Sequence, residues 1–555
     1  MYRQAPGCMR GRYRESMRRV TGFLLALALL ATVVSGCATE QPKPSAPAPA
    51  PKPAVQDTLT IGTPYSIETL DPTKYSSDGD MYILSQIYEP IVSIDGTTVV
   101  PRLAESWTNP DDKTWVFKIR KGLYWHDGNE VFPKGTKKEV TAKDAKYTYD
   151  YILDPANKAR LQSTLAENIA SVEAPDDYTL KVTTKAPYAF FLQDLNRIPI
   201  FSKEVRDKLG PDKFAKTPIG CGPFIFTEYK PDDRVVLTRN DNFFIKPKVA
   251  KVIFRIIPDK SVALMALESG EIDIALQIPA TDVPRLLKDN KVTVIRNTFG
   301  WYRYAAFNFN VPLFQDAKIR EAIACAVDMA EITKTIFPEA MLAEPAYGPV
   351  PRGLLGFTED WKKMWEYNPE KAKTILTGAG WVLGKDGIFA KGGKKLSFSL
   401  KVHNDPARQK MATLISTQLR AVGIDAKVAV RDWATHLDEI RKGDTEMFIM
   451  GGGSTPDGLL YMFHTKIAAG QSHNTFYKSK ALDDLLDKAK GTVDDKKRTE
   501  MWTQAATMTV KDRVHLGGYL EYVQIGTSKK VEQFDPATPW VSLCNVKRNV
   551  GFVAK

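Results

Sequence analysis

The sequence of 555 residues contains few cysteines, and their spacing excludes a cysteine-based metal site. Cys8 and Cys37 lie near the N-terminus, whereas Cys221, Cys325 and Cys544 are far apart. Structural zinc sites need cysteine or histidine pairs separated by roughly two to four residues, and no CxxC pair is present. One disulfide could form among the last three cysteines after export, but the sequence does not choose the pair.

Signatures of common enzyme classes are also missing. The sequence has no GxSxG nucleophile turn, no HExxH zinc helix, no Walker A loop and no GxGxxG after a predicted strand. The six histidines, at positions 126, 403, 436, 464, 473 and 515, include no closely spaced pair of the kind that binds a metal. We therefore expect no enzymatic activity, no metal site and no cofactor.

Long apolar runs are absent beyond residue 40, and basic residues form no cluster there. No later stretch is apolar enough to span a membrane. The net charge is +12, but six arginines and one glutamate in residues 1–36 contribute +5, which leaves +7 for residues 37–555. Because this remaining charge is scattered and not interleaved with aromatic residues, nucleic-acid binding is disfavoured.

The N-terminus has the pattern of an export signal. Six arginines precede an uncharged run over residues 20–34 that is rich in Leu and Ala, and the run ends in Val34-Ser35-Gly36-Cys37. A charged region followed by a short apolar region is typical of a signal peptide, and small residues before a cysteine resemble a bacterial lipobox. The sequence predicts a lipoprotein signal peptide at 1–36 and a lipid group on Cys37. A start at Met17 would give a signal of usual length.

A segment rich in Pro and Ala follows the cysteine. Residues 38–56 read ATEQPKPSAPAPAPKPAVQ. Proline fixes the φ angle and the small residues offer no core to bury, so a semi-rigid, polyproline-like chain is expected. We interpret residues 37–56 as a lipidated cysteine with a tether that holds a folded body outside the cytoplasmic membrane of a bacterium.

From residue 57 onward, strand and helix patterns alternate without a fixed repeat, which predicts a mixed α/β protein. Apolar residues at helical spacing predict one long helix over Asp316–Phe337. The later third predicts, in order, a strand at Leu396–Val402, a helix at Arg408–Val422, a strand at Asp425–Val430, a helix at Trp433–Arg441 and a strand at Glu446–Met450. This alternation favours a largely parallel sheet. The length predicts two or three lobes.

A series of sequence blocks identifies a family. The blocks are Leu103–Trp107 with Trp115–Gly122, Trp125–Gly128 with Val140–Asp144, Gly220–Phe224, Ser269–Asp273, Phe307–Asn308 with Phe314–Ala322, Asn368–Ala372 and Ala379–Trp381. Together they resemble the bacterial extracytoplasmic solute-binding proteins of family 5, the oligopeptide, dipeptide and nickel type of substrate-binding lipoprotein of ABC transporters. The resemblance covers nearly all of residues 57–555. Most blocks have structural roles, so they do not name the ligand.

The resemblance implies an α/β fold of the periplasmic-binding-protein type II kind, with two hinged lobes and an α+β domain inserted in the first. Lobe I would comprise residues 57–91, 216–301 and 517–555, the inserted domain residues 92–215, and lobe II residues 302–516. Two chain crossings would form the hinge, so that ligand binding drives closure. A monomer would then present its closed shape to the membrane permease.

The resemblance also implies a ligand-binding loop after the strand that matches Met447–Met450. In peptide-binding members this loop supplies backbone groups and an Asp for the α-ammonium of the peptide. Here the candidate contacts are Gly451, Gly452, Gly453 and Asp457. Alignment on Pro456 puts Gly452 at the position of the Asp. A buried ammonium without a counter-charge costs several kcal/mol, so another acid, such as Asp78, would have to take this role.

Aromatic residues supply further candidate contacts. Trp433 and Leu437 match a wall of the family's pocket, Trp301 and Tyr302 lie where the chain would cross into lobe II, and Tyr519 lies near the return crossing. Each could instead be a core residue. Because aromatic rings stack on sugar rings and on apolar side chains alike, they do not decide the ligand.

The ligand prediction therefore keeps its alternatives. We favour a peptide or peptide-like solute, since glycines 451–453 permit close approach of a peptide backbone. The alternative is an oligosaccharide or chelate receptor of the same fold, in which Trp301, Trp433, Asn308 and Asp457 would contact the solute. A sensory lipoprotein without a transporter and an enzyme are less favoured.

Overall fold

We describe the protein from a computed structural model, which covers residues 57–553 except 97, 298–299, 453–454, 456, 472, 537–541 and 546. The predicted signal peptide, Cys37, the tether and Gly453 lie outside the described residues. Within the described part, every helix is too short or too polar to cross a membrane.

Strands are distributed along the whole described chain. They are β1 (Thr58–Thr63), β2 (Val92–Asp95), β3 (Thr98–Pro101), β4 (Ala104–Thr108), β5 (Thr114–Ile119), β6 (Ile169–Asp176), β7 (Thr179–Thr184), β8 (Phe224–Lys230), β9 (Arg234–Arg239), β10 (Lys251–Ile256), β11 (Ile274–Ala275), β12 (Val292–Arg296), β13 (Trp301–Phe307), β14 (Ala343–Ala346), β15 (Val382–Leu383), β16 (Phe389–Lys391), β17 (Lys394–Lys395), β18 (Ser397–His403), β19 (Asp425–Arg431), β20 (Met447–Gly452), β21 (His515–Glu521), β22 (Gln524–Ser528), β23 (Val531–Glu532) and β24 (Gly551–Phe552).

Helices alternate with these strands. They are α1 (Asp78–Ile87), α2 (Ala142–Leu153), α3 (Gln162–Asn168), α4 (Phe191–Leu195), α5 (Lys203–Phe214), α6 (Lys260–Ser269), α7 (Val283–Asp289), α8 (Pro312–Gln315), α9 (Ala317–Ala326), α10 (Met329–Ile336), α11 (Pro369–Gly378), α12 (Pro406–Ala421), α13 (Trp433–Lys442), α14 (Gly458–Phe463), α15 (Lys480–Lys490) and α16 (Asp495–Lys511). Short 3-10 helices lie at Pro155–Asn157, Ala280–Asp282 and Glu359–Met364.

Two large sheets carry most of the core. The seven-stranded sheet has the order β12-β22-β11-β1-β10-β9-β8, and the six-stranded sheet has the order β14-β21-β13-β20-β18-β19. A separate antiparallel sheet, β4-β5-β7-β6, is built from residues 104–184. Since helices pack on sheets that mix parallel and antiparallel pairs, the predicted α/β class is confirmed.

The chain passes between the two large sheets twice, and the two passages lie side by side. β12 pairs with β22 and β13 pairs with β21, both antiparallel. Between these pairs, the Asn297 N–H donates to the Val523 carbonyl at 2.9 Å. The connection from β12 to β13 and the connection from β21 to β22 are therefore linked at Asn297 and Val523, and we call this pair of antiparallel passages the crossing ribbon. The predicted boundary at 517 falls inside β21, which stays in the six-stranded sheet to Glu521, and the division into lobes remains a prediction.

The strands and helices that the sequence predicts for residues 396–450 are present in the structure. β18, α12, β19, α13 and β20 confirm the predicted alternation, with each end within two residues of the expected position. Among the described strands of the six-stranded sheet, parallel pairing is limited to β18 with its neighbours β19 and β20, so this sheet is less parallel than expected.

The single helix predicted over residues 316–337 is wrong. α9 ends at Ala326, and α10 begins at Met329. Val327 is extended, and the Asp328 side chain accepts a hydrogen bond from the Glu331 N–H at 3.0 Å as the N-cap of α10. A short polar side chain that caps a new helix competes with continuation of the old one, which explains the break.

A buried ion pair joins distant parts of the chain. Arg102 and Glu89 contact each other through two hydrogen bonds of 2.6 Å, and both side chains are almost fully buried. Arg102 also donates to the carbonyl of Cys544 at 3.3 Å. The pair therefore connects the end of α1 to the C-terminal segment.

Cys221, Cys325 and Cys544 are buried free thiols in this structure.

We predict that Glu89→Leu lowers the free energy of unfolding by about 3–5 kcal/mol, because it leaves the Arg102 guanidinium buried without its partner. The double variant E89L/R102M should lose less stability than E89L, since no charge then remains buried. Urea denaturation followed by circular dichroism measures both.

The control is Glu105→Ala, which breaks the exposed pair Glu105–Lys118 and should cost under about 1 kcal/mol. An E89L protein as stable as this control would contradict the role of the buried pair.

Candidate functional site

A cavity of about 350 Å³ lies where three parts of the chain meet. Its walls come mainly from residues within 75–81 at the start of α1, residues within 190–197 around α4, and Thr455 and Asp457 after β20, together with Arg160 and Leu354. We call it the junction cavity. Small-molecule sites typically measure roughly 300–1,000 Å³, so the junction cavity can hold a small solute or part of a larger one.

Three aspartates line the junction cavity, and the sequence predicted two of them. Asp78 starts α1, Asp194 lies in α4, and Asp457 follows β20. The Tyr188 hydroxyl donates to Asp194 Oδ2 at 2.8 Å. Burial raises the pKa of Asp194 to about 6; the hydrogen bond from Tyr188 opposes this rise, and the negative charge of Asp457 adds to it. Asp194 is therefore poised to exchange a proton near pH 6.

Two arginines line the same cavity. Arg160 donates from Nη1 to the Tyr75 carbonyl at 2.9 Å, and its guanidinium lies 4.7 Å from the centroid of the Tyr75 ring. Arg197 opposes the burial-driven rise in the pKa of both Tyr75 and Asp194. Three aspartates and two arginines leave the lining with one net negative charge.

The end of β20 leads directly into this cavity. Gly451 pairs with Arg303 and Gly452 with Tyr302 across the antiparallel β13. Because a chain spans at most roughly 3.6 Å per residue, the Cα atoms of Gly452 and Thr455 lie within about 11 Å of each other. The end of β20 therefore lies near Thr455, one of the residues that line the junction cavity.

Arg303 and Arg408, which we call the arginine pair, lie beside the end of β20. A Cβ atom on Gly451 would lie 2.5 Å from NH1 of Arg303, so the guanidinium covers this glycine. Arg303 Nε is 2.8 Å from Glu521, but Arg408 Nε is 4.0 Å from Asp405. The buried Arg408 Nε has no hydrogen-bond partner among the described residues.

The arginine pair carries positive charge that is only partly balanced. Arg408 is 8% exposed and contacts the His403 ring. Burial lowers the pKa of Arg408, and the like charge of Arg303 adds to this effect. A guanidinium presents planar donors that match the two oxygens of a carboxylate. The arginine pair can therefore hold a carboxylate of a ligand.

Trp433 and Leu437 lie on α13, near the arginine pair. The Trp433 side chain is 46% exposed, and its ring meets the His403 ring edge to face at 4.9 Å. Because Arg408 contacts the same His403 ring, the exposed indole and the buried guanidinium are neighbours. Leu437 is partly buried against the core. Trp433 thus lies beside the arginine pair, and neither Trp433 nor Leu437 is among the residues that line the junction cavity.

The aromatic residues of β13 and β21, the strands next to the crossing ribbon, differ in exposure. Trp301 is 46% exposed, and the Arg303 guanidinium lies 5.4 Å from the centroid of its ring. Tyr302 is fully buried and stacks on Tyr304 at 4.8 Å. Tyr519 is also fully buried and packs on Phe337. The two tyrosines therefore act as core residues in this structure, and ligand contact by them remains a prediction.

His473 explains why residue 452 is a glycine. A Cβ atom at this position would clash with the His473 ring. The Tyr304 hydroxyl and His473 Nδ1 are hydrogen-bonded at 2.8 Å, and Tyr304 stacks on His515 at 4.0 Å. Burial lowers the pKa of His473 to about 4, so its ring is neutral at pH 7. No side chain can project from residue 452 while this ring is in place.

Sequence reasoning missed Asp194, the arginine pair and His473. For Asp194 a signal existed, because residues 188–195 read YAFFLQDL and contain a single acid within an apolar run. Arg408 was only the first residue of a predicted helix, and nothing local distinguishes a buried arginine from an exposed one. Among the described residues, no group of three or more His, Cys, Asp or Glu is placed to hold a metal ion.

Comparisons of the sequence with a family model and with curated proteins point to the same family. The model of the bacterial extracellular solute-binding proteins, family 5 Middle, matches residues 98–471. The chain is 30% identical over 518 residues to the oligopeptide-binding protein AppA of Bacillus subtilis. This alignment covers 89% of this chain and 92% of AppA. It is 29% identical over 476 residues to the dipeptide-binding protein of Escherichia coli. This alignment covers 81% of this chain and 86% of that protein.

Solved structures agree on the fold. The periplasmic binding protein DppA from Helicobacter pylori, in complex with the peptide STSA, has a TM-score of 0.67 and 27% identity, covering 90% of this chain and 98% of that one. HbpA2 from Haemophilus parasuis has a TM-score of 0.78 and 23% identity. The superposition covers 90% of this chain and 100% of HbpA2. The predicted periplasmic-binding-protein fold is confirmed by these neighbours.

We predict that Gly452→Ala destabilises the protein by about 1–3 kcal/mol, because the new methyl group overpacks against the His473 ring. The double variant G452A/H473A should regain part of this loss, since the ring is removed. Differential scanning calorimetry measures the shift in Tm.

The matched control is Gly378→Ala, where a Cβ atom meets nothing within 4 Å and the change should be neutral or slightly stabilising. Equal Tm values for the Gly452→Ala and Gly378→Ala proteins would rule out the steric explanation.

Proposed function

The chain belongs to the bacterial extracellular solute-binding proteins of family 5, and on this premise we propose that it captures a peptide or peptide-like solute and delivers it to the permease of an ABC importer. The observation that carries the proposal is the arrangement of the arginine pair and the junction cavity at the two ends of one short loop. Relatives named as oligopeptide- and dipeptide-binding proteins support it.

The geometry suits an extended peptide. An extended chain advances roughly 3.3 Å per residue, so a peptide of about three residues is long enough to span Gly452 and Thr455, whose Cα atoms lie at most about 11 Å apart. The arginine pair would hold its carboxylate, and the junction cavity would take a group from the other end. Glycines at 451 and 452 allow the ligand backbone to approach β20 closely.

Transport requires that the ligand be enclosed and then released. The crossing ribbon is the connection between the sheets that would bend, because Asn297 and Val523 link its two strands where neither belongs to a sheet. We propose that the lobes close on the ligand about this ribbon and that the permease recognises the closed form. The ligand would leave chemically unchanged.

The N-terminus supports a place of action outside the cytoplasmic membrane. Members of this family are extracellular solute-binding proteins. We propose that residues 1–36 direct export, that Cys37 carries the lipid and that residues 38–56 tether the binding body to the membrane.

Arg408→Met should weaken binding of a tripeptide with a free carboxylate by roughly 10- to 100-fold, because a charge-assisted hydrogen bond contributes about 1.5–3 kcal/mol. The same peptide with an amidated C-terminus should bind weakly to the unmodified protein and should lose little further affinity in the variant. Isothermal titration calorimetry measures all four combinations.

Arg420→Met, an exposed position on the same helix α12, is the matched control and should leave the affinity unchanged. Binding of oligosaccharides, but of no peptide, would overturn the peptide proposal and support the alternative receptor function.

Cys37→Ser should release the protein from the membrane, because the serine hydroxyl cannot carry the thioether-linked lipid. Cells grown with labelled palmitate should incorporate label into the unmodified protein and into a Cys8→Ser control, but not into the Cys37→Ser protein. Label in the Cys37→Ser protein, or its full retention in the membrane fraction, would exclude this anchor.

A further inference from the structure

A small antiparallel sheet, β15-β16-β17, exposes two apolar side chains. Val382 is 70% exposed, more than any other large apolar side chain in the described part of the chain, and Leu383 beside it is 54% exposed. Phe389, which pairs with Leu383, is buried, and its N–H donates to the Gly423 carbonyl at 2.9 Å. The sheet is therefore fixed to the fold, and the exposed apolar pair is built into its surface.

Lysines surround these two side chains. Lys385 lies in the turn between β15 and β16, and three further lysines lie in and around the turn between β16 and β17: Lys391, Lys394 and Lys395. Lys395 forms an ion pair of 2.6 Å with Asp386, and Lys391 donates to a backbone carbonyl. Within the described residues, Lys385 and Lys394 have no carboxylate partner. Most of this positive charge is therefore available to a partner.

Two further cations extend the basic surface. Arg420 at the end of α12 donates to the Asp386 carbonyl at 3.4 Å and lies 3.4 Å from the Asp425 carboxylate. Lys427 in β19 lies 3.8 Å from the same carboxylate. Residues 382–395 with Arg420, Asp425 and Lys427, which we call the hairpin patch, contain six cations and two acids. The fold thus concentrates here charge that is scattered along the sequence.

The composition of the hairpin patch fits an anionic lipid surface better than a protein or a nucleic acid. Protein interfaces bury roughly 800 Å² per partner and are depleted in lysine, whereas the patch exposes two apolar side chains among lysines. Single-stranded nucleic acids stack on aromatic rings, and the aromatic residue of the patch, Phe389, is buried. At a bilayer, ammonium groups stay at the phosphates while small apolar groups enter the headgroup boundary.

We propose that the hairpin patch docks on the anionic phospholipid surface of the membrane that carries the protein. This inference rests on the proposed lipid anchor at Cys37 and goes beyond it. Asp57 lies 20 residues after Cys37, so the connecting chain can span at most roughly 70 Å. A weak contact is sufficient at the end of such a tether, because the tether keeps the effective concentration of the lipid surface high.

Docking of the hairpin patch would orient the binding body. β18 begins at Ser397, two residues after the patch, and its neighbour β19 contains Lys427. The patch is therefore continuous with one edge of the six-stranded sheet, and this edge would face the bilayer. A fixed orientation reduces the number of arrangements that the protein samples before it meets a permease in the same membrane.

Fluorescence quenching by spin-labelled lipid tests the contact in the lipidated protein. L383C carries a thiol-linked fluorophore, and the protein is anchored in vesicles of phosphatidylcholine with about 30% phosphatidylglycerol and a lipid that is spin-labelled near its headgroup. Buried thiols at the three cysteines of the body leave position 383 as the site of labelling. The matched control is M265C, because this side chain is 60% exposed on α6, which contacts the seven-stranded sheet.

We expect quenching at position 383 to exceed quenching at position 265 by at least about three-fold in the anionic vesicles. The excess should disappear in vesicles of phosphatidylcholine alone. K385E/K394E should also remove it, because this variant replaces both unpaired lysines with acids, and the variant should bind peptides as the unmodified protein does.

A charge-matched variant separates the hairpin patch from the net charge of the protein. K260E/K288E changes two exposed lysines on α6 and α7 and should keep the full excess at position 383. Raising the salt concentration from roughly 0.05 to 0.5 M should reduce the excess several-fold, since salt screens exposed charges.

The outcomes separate this inference from the proposed function. Equal quenching at positions 383 and 265, or an excess that K385E/K394E leaves unchanged, overturns membrane docking while the anchor and peptide capture stand. Shielding of position 383 only in vesicles that also contain the permease assigns the patch to a protein partner and overturns docking on lipid. Loss of the protein from the vesicles, with peptide binding intact, refutes the anchor at Cys37 and this inference with it.

Discussion

The structure depends on the crossing ribbon, where Asn297 and Val523 link the two connections between the large sheets. The backbone hydrogen bond from Asn297 to Val523 continues the pairing of β12 with β22 and of β13 with β21. Residues that flank this ribbon reach the candidate site: Trp301 is half exposed, and Arg303 is fixed by Glu521 across the paired strands. The position of Arg303 is therefore set next to the connection between the sheets.

Charge is unevenly distributed along the proposed ligand path. The arginine pair at the end of β20 is positive and only partly balanced, whereas the junction cavity has one net negative charge. The two ends are joined by a loop short enough for a small peptide to reach both. Such a dipolar site would discriminate ligands by the order of their charges as well as by size, since a ligand bound in reverse would place like charges together.

Much of the fold could be predicted from the sequence, because the strands and helices of residues 396–450 follow local patterns. The prediction of one helix over residues 316–337 was wrong because the Asp328 side chain caps a new helix, α10, inside this range. In the site, Asp78 and Asp457 were found through family alignment and chemistry. Asp194, Arg408 and His473 escaped because their importance comes from contacts with residues distant in sequence, such as Asp457 for Asp194 and Tyr304 for His473. Burial of a charged residue is a property of the assembled fold.

Strand β22 lies near the C-terminus, yet it sits between β12 and β11 in the seven-stranded sheet. A chain that is threaded through a translocation pore from its N-terminus delivers β22 after almost everything else. β12 then has no neighbour until threading is nearly finished, and its backbone edge stays open to association with other chains. The antiparallel sheet of residues 104–184 is local in sequence and can form early. In a chain that emerges from its N-terminus, the edge of β12 that β22 covers would therefore be the part of the seven-stranded sheet that stays open longest.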